Sequence, residues 1–306
     1  MTLIELKSKL HELLGSMPVH INPNFSLEWE QEHKTCIERR FIFRSTDNET
    51  VPCHLLVPKA VPKPCPVVIC LQGHSKGMHI SLGRPRFKDD LDSIAGGRDF
   101  ALQAVQRGYA ALTIEQRGMG ERSGDPEYKP SCYLPAVRNL LHGRTILADR
   151  VFDVMRAIDM ISIFSELDMD KIACMGNSGG GTTTFYAACL DERIKVAMPS
   201  CSFCTYESSI EAVYHCICNY IPKAKLYFEM SDLAALIVPR KLIIVAGKKD
   251  LIFPIDGVNK AYQTAYEIYK SKGFENNVTM VVGESGHQFY PDLAWPVFDR
   301  ISGWRN

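Results

Sequence analysis

An α/β architecture, a mostly parallel central sheet with helices on both faces, is predicted by three observations. Short apolar runs alternate with amphipathic segments along most of the 306 residues. Several of these runs, such as 66–71 and 242–246, are continuously apolar, the pattern of strands buried on both faces. No repeat of solenoid period, low-complexity tract or Pro/Ser-rich linker divides the chain, so one sheet can gather all the elements and 1–306 reads as a single domain. A hydrophobic share of 46% supplies a large core, and a charged share of 23% is far from a disordered composition.

The elements follow in order. Residues 1–15 space Leu3, Leu6, Leu10, Leu13 and Leu14 among Glu5, Lys7, Lys9 and Glu12. That pattern predicts an amphipathic helix stopped by Gly15, and the charges interrupt any secretory apolar region. Residues 38–43 and 51–57 read as an antiparallel pair across the polar turn Ser45-Thr46-Asp47-Asn48. A buried strand at 66–71, a helix at 101–106 ending at Gly108 and a strand at 109–114 come next. Leu147, Val151, Met155, Ile158 and Ile161 recur at helical spacing, which predicts one long helix over 144–165. Arg150, Asp153, Arg156 and Asp159 lie three apart on its other faces and are expected to be solvated, pairing along the helix. Strand 171–175, helix 180–190, strands 195–198 and 241–246, helix 258–272, strand 278–282 and helix 291–301 complete the chain. Three connections, 75–98, 119–143 and 200–234, exceed a plain turn and are expected to wall a pocket, the last as a small cap.

Charge and cysteine content exclude whole classes of function. Lys+Arg and Asp+Glu are 35 each, so no basic surface recruits nucleic acid or an anionic membrane. No apolar stretch approaches the roughly 18 residues that span a bilayer. The 11 cysteines are odd in number and scattered through core-like segments, as expected of buried thiols in a reducing cytoplasm rather than a disulfide framework. Cys201, Cys204, His215, Cys216 and Cys218 are zinc-ligand types. Three of them crowd into four positions with Ile217 between the cysteines and no knuckle glycines, so they read as free thiols under the cap, with no metal. Neither GxGxxG after a strand nor GxxxxGK[ST] occurs, and no cofactor is expected.

Chemistry enters where strand 171–175 runs into Gly176-Asn177-Ser178-Gly179-Gly180 and then a helix. G-x-S-x-G in a strand–turn–helix context lifts a serine hydroxyl above the carboxyl edge of the sheet, and the flanking Gly176 and Gly180 make room for the sharp turn. Later strands should then supply an acid and a histidine in that order. Strand 241–246 ends in Gly247-Lys248-Lys249-Asp250, and strand 278–282 ends in Gly283-Glu284-Ser285-Gly286-His287. Ser178 is thus the candidate nucleophile, His287 the base and Asp250 the group that fixes the imidazole tautomer. Two backbone N–H donors for the oxyanion are expected at Gly179 and at His74, with Gly73 letting the chain turn inward; the His74 side chain as a catalyst is the alternative. A serine nucleophile suits acyl transfer, so the substrate is an ester, thioester, lactone or activated amide.

With these residues in place, the chain resembles the α/β-hydrolase superfamily over nearly its whole length, and more narrowly its acetyl xylan esterase-like and dienelactone hydrolase-like branches. The resemblance is carried by Leu71-Gln72-Gly73-His74, Glu115 to Gly120, Gly143-Arg144-Thr145, Gly176 to Gly180 and Cys218 to Pro222. It implies a serine carboxylesterase for small acyl groups, with Arg117 as structural support of the site's loops. Two departures stand out. Dienelactone hydrolases proper use cysteine where this chain has Ser178, and related deacetylases often carry glutamine where it has Gly179. The rival readings are a prolyl oligopeptidase-like peptidase or amidase and a non-catalytic ligand-binding protein of the same fold.

Overall fold

Two capped, amphipathic helices bracket a sheet whose order is set by where the apolar runs can be buried on both faces. The computed structural model describes residues 1–22 and 24–305. Helix α1 (Leu3–Leu14) begins at Thr2, whose hydroxyl accepts the Glu5 N–H while the Glu5 carboxylate accepts the Thr2 N–H. It buries Leu6, Leu10 and Leu14. Strands β1 (Ser26–Glu32), β2 (Cys36–Thr46) and β3 (Glu49–Pro58) then form an antiparallel meander. β1 escaped the pattern because it is short of apolar residues and exposed along its length; it is held by its ladder to β2, by Trp29 against the His54 ring and by ion pairs such as Arg40–Glu28.

The α/β part follows as β4 (Cys65–Leu71), α2 (Asp90–Ala95), α3 (Phe100–Gln106), β5 (Ala110–Ile114), α4 (Tyr133–Leu141), α5 (Ile146–Ile161), β6 (Leu167–Asn177), α6 (Gly179–Leu190), β7 (Ile194–Ser200), β8 (Lys241–Gly247), α7 (Ile255–Lys270), β9 (Val278–Gly283) and α8 (Pro291–Ser302). The sheet has nine strands in the order β1-β2-β3-β5-β4-β6-β7-β8-β9, and every neighbouring pair from β5 onward is parallel. Side chains of β4 alternate between two cores. Val67, Ile69 and Leu71 pack with residues of α1, α5, α6 and α7, and Val68 and Cys70 with residues of α3 and α8. The chain steps from β4 to β5 on one side and then to β6 on the other, so the loops after β4 and β6 flank the point where strand order reverses. A crevice at the carboxyl ends of the strands opens there.

One expectation is overturned. Arg150, Asp153 and Arg156 of α5 are buried, not solvated, as is the neighbouring Asp149, and Asp159 is half-buried. Asp153 takes its cations from Arg117 and Arg122 in the turn after β5, at 2.9 Å and 2.7 Å, and only Arg156–Asp159 pairs along the helix. The helix is covered on its polar side by that turn, whose arginines neutralise the acids. Of the long connections, 75–98 carries α2, 119–143 carries α4, and the segment after β7 holds three 3-10 turns, Ile217–Asn219, Ala224–Leu226 and Met230–Leu236. No helix among the described residues is long and apolar enough to cross a membrane.

Candidate active site

Ser178 sits between β6 and α6 with φ 55° and ψ −126°. Positive φ in a non-glycine residue costs about 1–3 kcal/mol and marks a turn that its surroundings enforce. The enforcement is close packing: a Cβ on Gly176 would stand 2.6 Å from the Gly180 carbonyl carbon, and one on Gly180 would stand 2.2 Å from the Leu71 oxygen. The Ser178 N–H donates to the Ser200 carbonyl at 2.8 Å, which ties the turn to the end of β7. Ser178 is half-buried between fully buried Asn177 and Gly179.

Asp250 and His287 are brought together from the ends of β8 and β9, with Asp250 Oδ2 2.8 Å from His287 Nδ1. A carboxylate only accepts, so Nδ1 carries the proton and Nε2 is left as the acceptor. Asp250 Oδ1 accepts the Ile252 and Phe253 N–H groups at 2.8 and 3.2 Å. Burial raises the Asp250 pKa, but the His287 contact and the two amides outweigh it and hold the carboxyl below its ordinary value. The Phe253 ring stacks on His287 at 6.0 Å, Arg98 Nη2 donates to the His287 carbonyl at 2.9 Å, and the Tyr290 hydroxyl donates to the Gly286 carbonyl at 2.6 Å. Cys201, the residue after β7, has φ 47° and places its sulfur within 4.8 Å of both the Asp250 carboxylate and a His287 ring nitrogen. Burial and the neighbouring Asp250 push that thiol up to about 12, so it stays protonated. Because Ser200 bonds Ser178 and Cys201 touches the Asp250–His287 pair, the serine, acid and histidine share one end of the sheet. No hydrogen bond yet joins Ser178 to His287, a contact that commonly tightens only when substrate is bound.

The loop after β4 closes the other side. The Gln72 side chain donates to Ser81 Oγ and the Arg98 carbonyl, both at 2.7 Å, while the Gln72 backbone carbonyl accepts from Gln116 Nε2. Gln116 Oε1 in turn accepts from Thr183 Oγ1 of α6 at 2.7 Å, which fixes this loop to the helix behind the serine. A Cβ on Gly73 would meet the Asn177 oxygen at 2.6 Å, so only glycine lets the loop lie against the turn. The His74 ring rests on Gly179, where a Cβ would stand 2.9 Å from Cε1. That is why glycine follows the serine here: a glutamine side chain has no room. Among the described residues, neither the His74 nor the Gly179 N–H donates to a protein group. His74 Nε2 points the other way, 3.1 Å from Cys218 Sγ. Burial lowers the His74 pKa, but contacts with the Cys132 and Cys216 sulfurs outweigh it and push the imidazole up to about 9. A cavity of about 500 Å³ opens beside His74, Tyr133, Tyr214, His215 and Tyr220.

Arg117 lies in the turn after β5 and ties that turn to α5. It grips Asp153 through Nε and Nη2 at 2.9 and 3.0 Å and Asp149 through Nη1 at 2.9 Å. Sequence reasoning missed Arg98, Phe253 and Glu115. The Glu115 carboxyl is packed against Gly77 and Gly120 and accepts the Met78 and Glu121 N–H groups at 3.2 and 3.3 Å; burial pushes it up to about 8. The cap cluster is also rearranged. Cys216 and Cys218 meet His74 and Cys132, whereas Cys201 joins the Asp250 pair, Cys204 faces the Pro254 carbonyl at 3.8 Å and His215 Nε2 lies 3.0 Å from Ser209 Oγ. Sheet order was the signal for Cys201, since it follows a strand that neighbours both β6 and β8.

The family model described as acetyl xylan esterase (AXE1) matches residues 12–270, most of the chain. This chain belongs to the acetyl xylan esterase family. A protein of Bacillus subtilis (strain 168) named as a hydrolase, YtaP, is 27% identical over 286 residues, 92% of this chain and 93% of its own length. Among solved structures, a glucuronoyl esterase from Solibacter usitatus superposes with a TM-score of 0.76 at 14% identity, covering 99% of this chain and 91% of that one. An acetyl xylan esterase from Paenibacillus sp. R4 gives 0.66 at 19% identity, covering 98% and 94%. These two share the α/β-hydrolase fold with it. The family member is an ester-hydrolysing enzyme, a serine carboxylesterase acting on acetyl esters. The non-catalytic and peptidase readings give way to that activity.

Proposed function

We propose that Ser178, His287 and Asp250 are the nucleophile, general base and orienting acid of this esterase, with the Gly179 and His74 amides as its oxyanion hole. The observation that carries the reading is the strained Ser178 turn at the same end of the sheet as a 2.8 Å Asp250–His287 contact. Ser178 Oγ attacks the ester carbonyl as His287 Nε2 takes its proton, and the two amide N–H groups donate to the developing oxyanion. The imidazolium then protonates the departing alcohol. Water, activated by the same imidazole, hydrolyses the acyl-serine, releases acetate and restores the hydroxyl. Asp250 stays ionised throughout and stabilises the imidazolium.

The alcohol half is a small sugar or a xenobiotic rather than a polymer, handled in a reducing cytoplasm, with residues 200–234 as the cap over it. Eleven cysteines, none of them bridged in a disulfide, and the aromatic cavity beside His74 support this. In Ser178→Ala, turnover of p-nitrophenyl acetate is expected to fall by about 10⁶, the loss seen when a serine hydrolase loses its nucleophile. A fluorophosphonate is expected to label the parent at Ser178 alone. A variant within tenfold of the parent, or labelling elsewhere, refutes the assignment.

A further inference from the structure

We propose that His74, Cys132, Cys216 and Cys218 form a four-ligand zinc site that ties the loop after β4 to the cap. One ligand atom from each of the four lies within 4.8 Å of the other three, with His74 Nε2 and Cys218 Sγ already 3.1 Å apart. A tetrahedral zinc ion, about 2.3 Å from sulfur and about 2.0 Å from nitrogen, spaces its ligand atoms about 3.5–3.8 Å apart, so small side-chain rotations, opening the His74–Cys218 pair slightly and drawing the others in, close the shell. The four come from three segments far apart in sequence: the loop after β4, the turn that leads into α4, and residues 216–218 at the start of the 3-10 turn Ile217–Asn219.

A second observation concerns charge. Arg150 is 1% exposed and has no carboxylate within ion-pair distance among the described residues. It donates to the Arg117 carbonyl through Nε and Nη2, at 3.0 and 2.7 Å, and through Nη2 to Cys132 Sγ at 3.1 Å. A buried cation without a counter-ion is costly. Zinc held by three thiolates and a neutral imidazole carries one net negative charge, so the guanidinium becomes its counter-ion and donates to a ligand sulfur, as outer partners of metal centres do. Met119, Ala136 and Ile146 pack around Cys132 and Cys218 on the inner side, while the cavity beside His74 reaches Cys132 and Cys216 on the outer side. Apolar packing of free thiols accounts for those sulfurs, but not for the imidazole nitrogen and the guanidinium both aimed at them.

On binding, three Zn–S bonds and one Zn–N bond form. The protons held by the thiols and by His74 Nε2 leave to solvent, and no electron is transferred. Four protein ligands leave no open position, so the ion is structural and fixes the His74 loop against Gly179. This replaces the expectation of no metal, with His74 and Cys132 standing where sequence spacing offered Cys201, Cys204 and His215.

The test is metal content of untagged protein purified without chelator, measured by inductively coupled plasma mass spectrometry. About one zinc per chain is expected for a closed Cys₃His site, and cobalt(II) in its place is expected to give tetrahedral ligand-field bands with thiolate charge transfer. Cys132→Ser and Cys216→Ser are expected to lower the content to below about a tenth per chain, whereas Cys204→Ala keeps it. Wild-type protein that is isolated metal-free and, when reduced, takes no zinc from a chromophoric zinc complex overturns the proposal, whatever the variants do. So does a disulfide between two of Cys132, Cys216 and Cys218 in freshly purified protein, or metal lost in Cys204→Ala and kept in Cys216→Ser.

Discussion

Asp250→Asn separates orientation from packing at this site, and the hydrogen bonds around Asp250 dictate how. Oδ1 accepts two backbone N–H groups, from Ile252 and Phe253, while Oδ2 accepts from His287 Nδ1. An asparagine must keep its carbonyl oxygen toward the two amides, because turning it round would set an NH₂ against two N–H donors with the side chain almost fully buried. Its NH₂ therefore faces Nδ1, which becomes an acceptor, and the ring proton moves to Nε2, the nitrogen that has to receive the Ser178 proton. Geometry and volume are unchanged, yet the base is in the wrong tautomer. The expected cost is about 10⁴ in kcat, the size of the same substitution in other serine triads, with KM little changed. The assay is steady-state hydrolysis of p-nitrophenyl acetate near pH 7, beside urea denaturation to show that the variant folds as the parent does. Asp256→Asn, a change at an exposed residue in the first turn of α7, is the control and is expected to be silent. A kcat within tenfold of the parent in Asp250→Asn, or a severe loss in Asp256→Asn, refutes the reasoning.

Two further outcomes concern the scaffold. Arg117→Met leaves Asp149 and Asp153 buried without the guanidinium that bridges them, and is expected to lower stability by about 3–5 kcal/mol in urea titration; a loss below about 1 kcal/mol shows that Arg122 and Asn139 suffice. Glu115 holds a proton in the folded chain up to about pH 8, where the unfolded chain releases it near its ordinary carboxylate value. Stability from this group is therefore full at low pH and is lost as pH rises toward about 8, by a few kcal/mol. Glu115→Gln keeps the neutral form and is expected to flatten that alkaline loss in urea midpoints taken at acidic and alkaline pH. Equal losses in parent and variant contradict it.

The site's main chain was legible because each of its parts is local. A G-x-S-x-G between an apolar strand and a helix, and an acid and a histidine each a few residues past a strand, are patterns of neighbours in sequence, and strand order carries them to one end of the sheet. The residues that support them were not legible, since each acts across the fold. Arg98 reaches the His287 carbonyl from 189 positions away, and His74 meets Cys218 across 144. The charges on α5 misled for a related reason. Apolar periodicity identifies the face that packs on the sheet, but it is blind to a second cover made of arginines, so Asp153 read as solvated when it is buried against Arg117.

The amino-acid sequence by itself determined the alternation of strands and helices, the strained serine turn and the order serine, acid, histidine, because hydrophobic period and turn chemistry act over a few residues. Tertiary structure decided which thiols meet His74, which cations neutralise α5 and why glycine must follow Ser178. Those are matters of contact and charge compensation between segments that only the sheet order brings within a few ångströms.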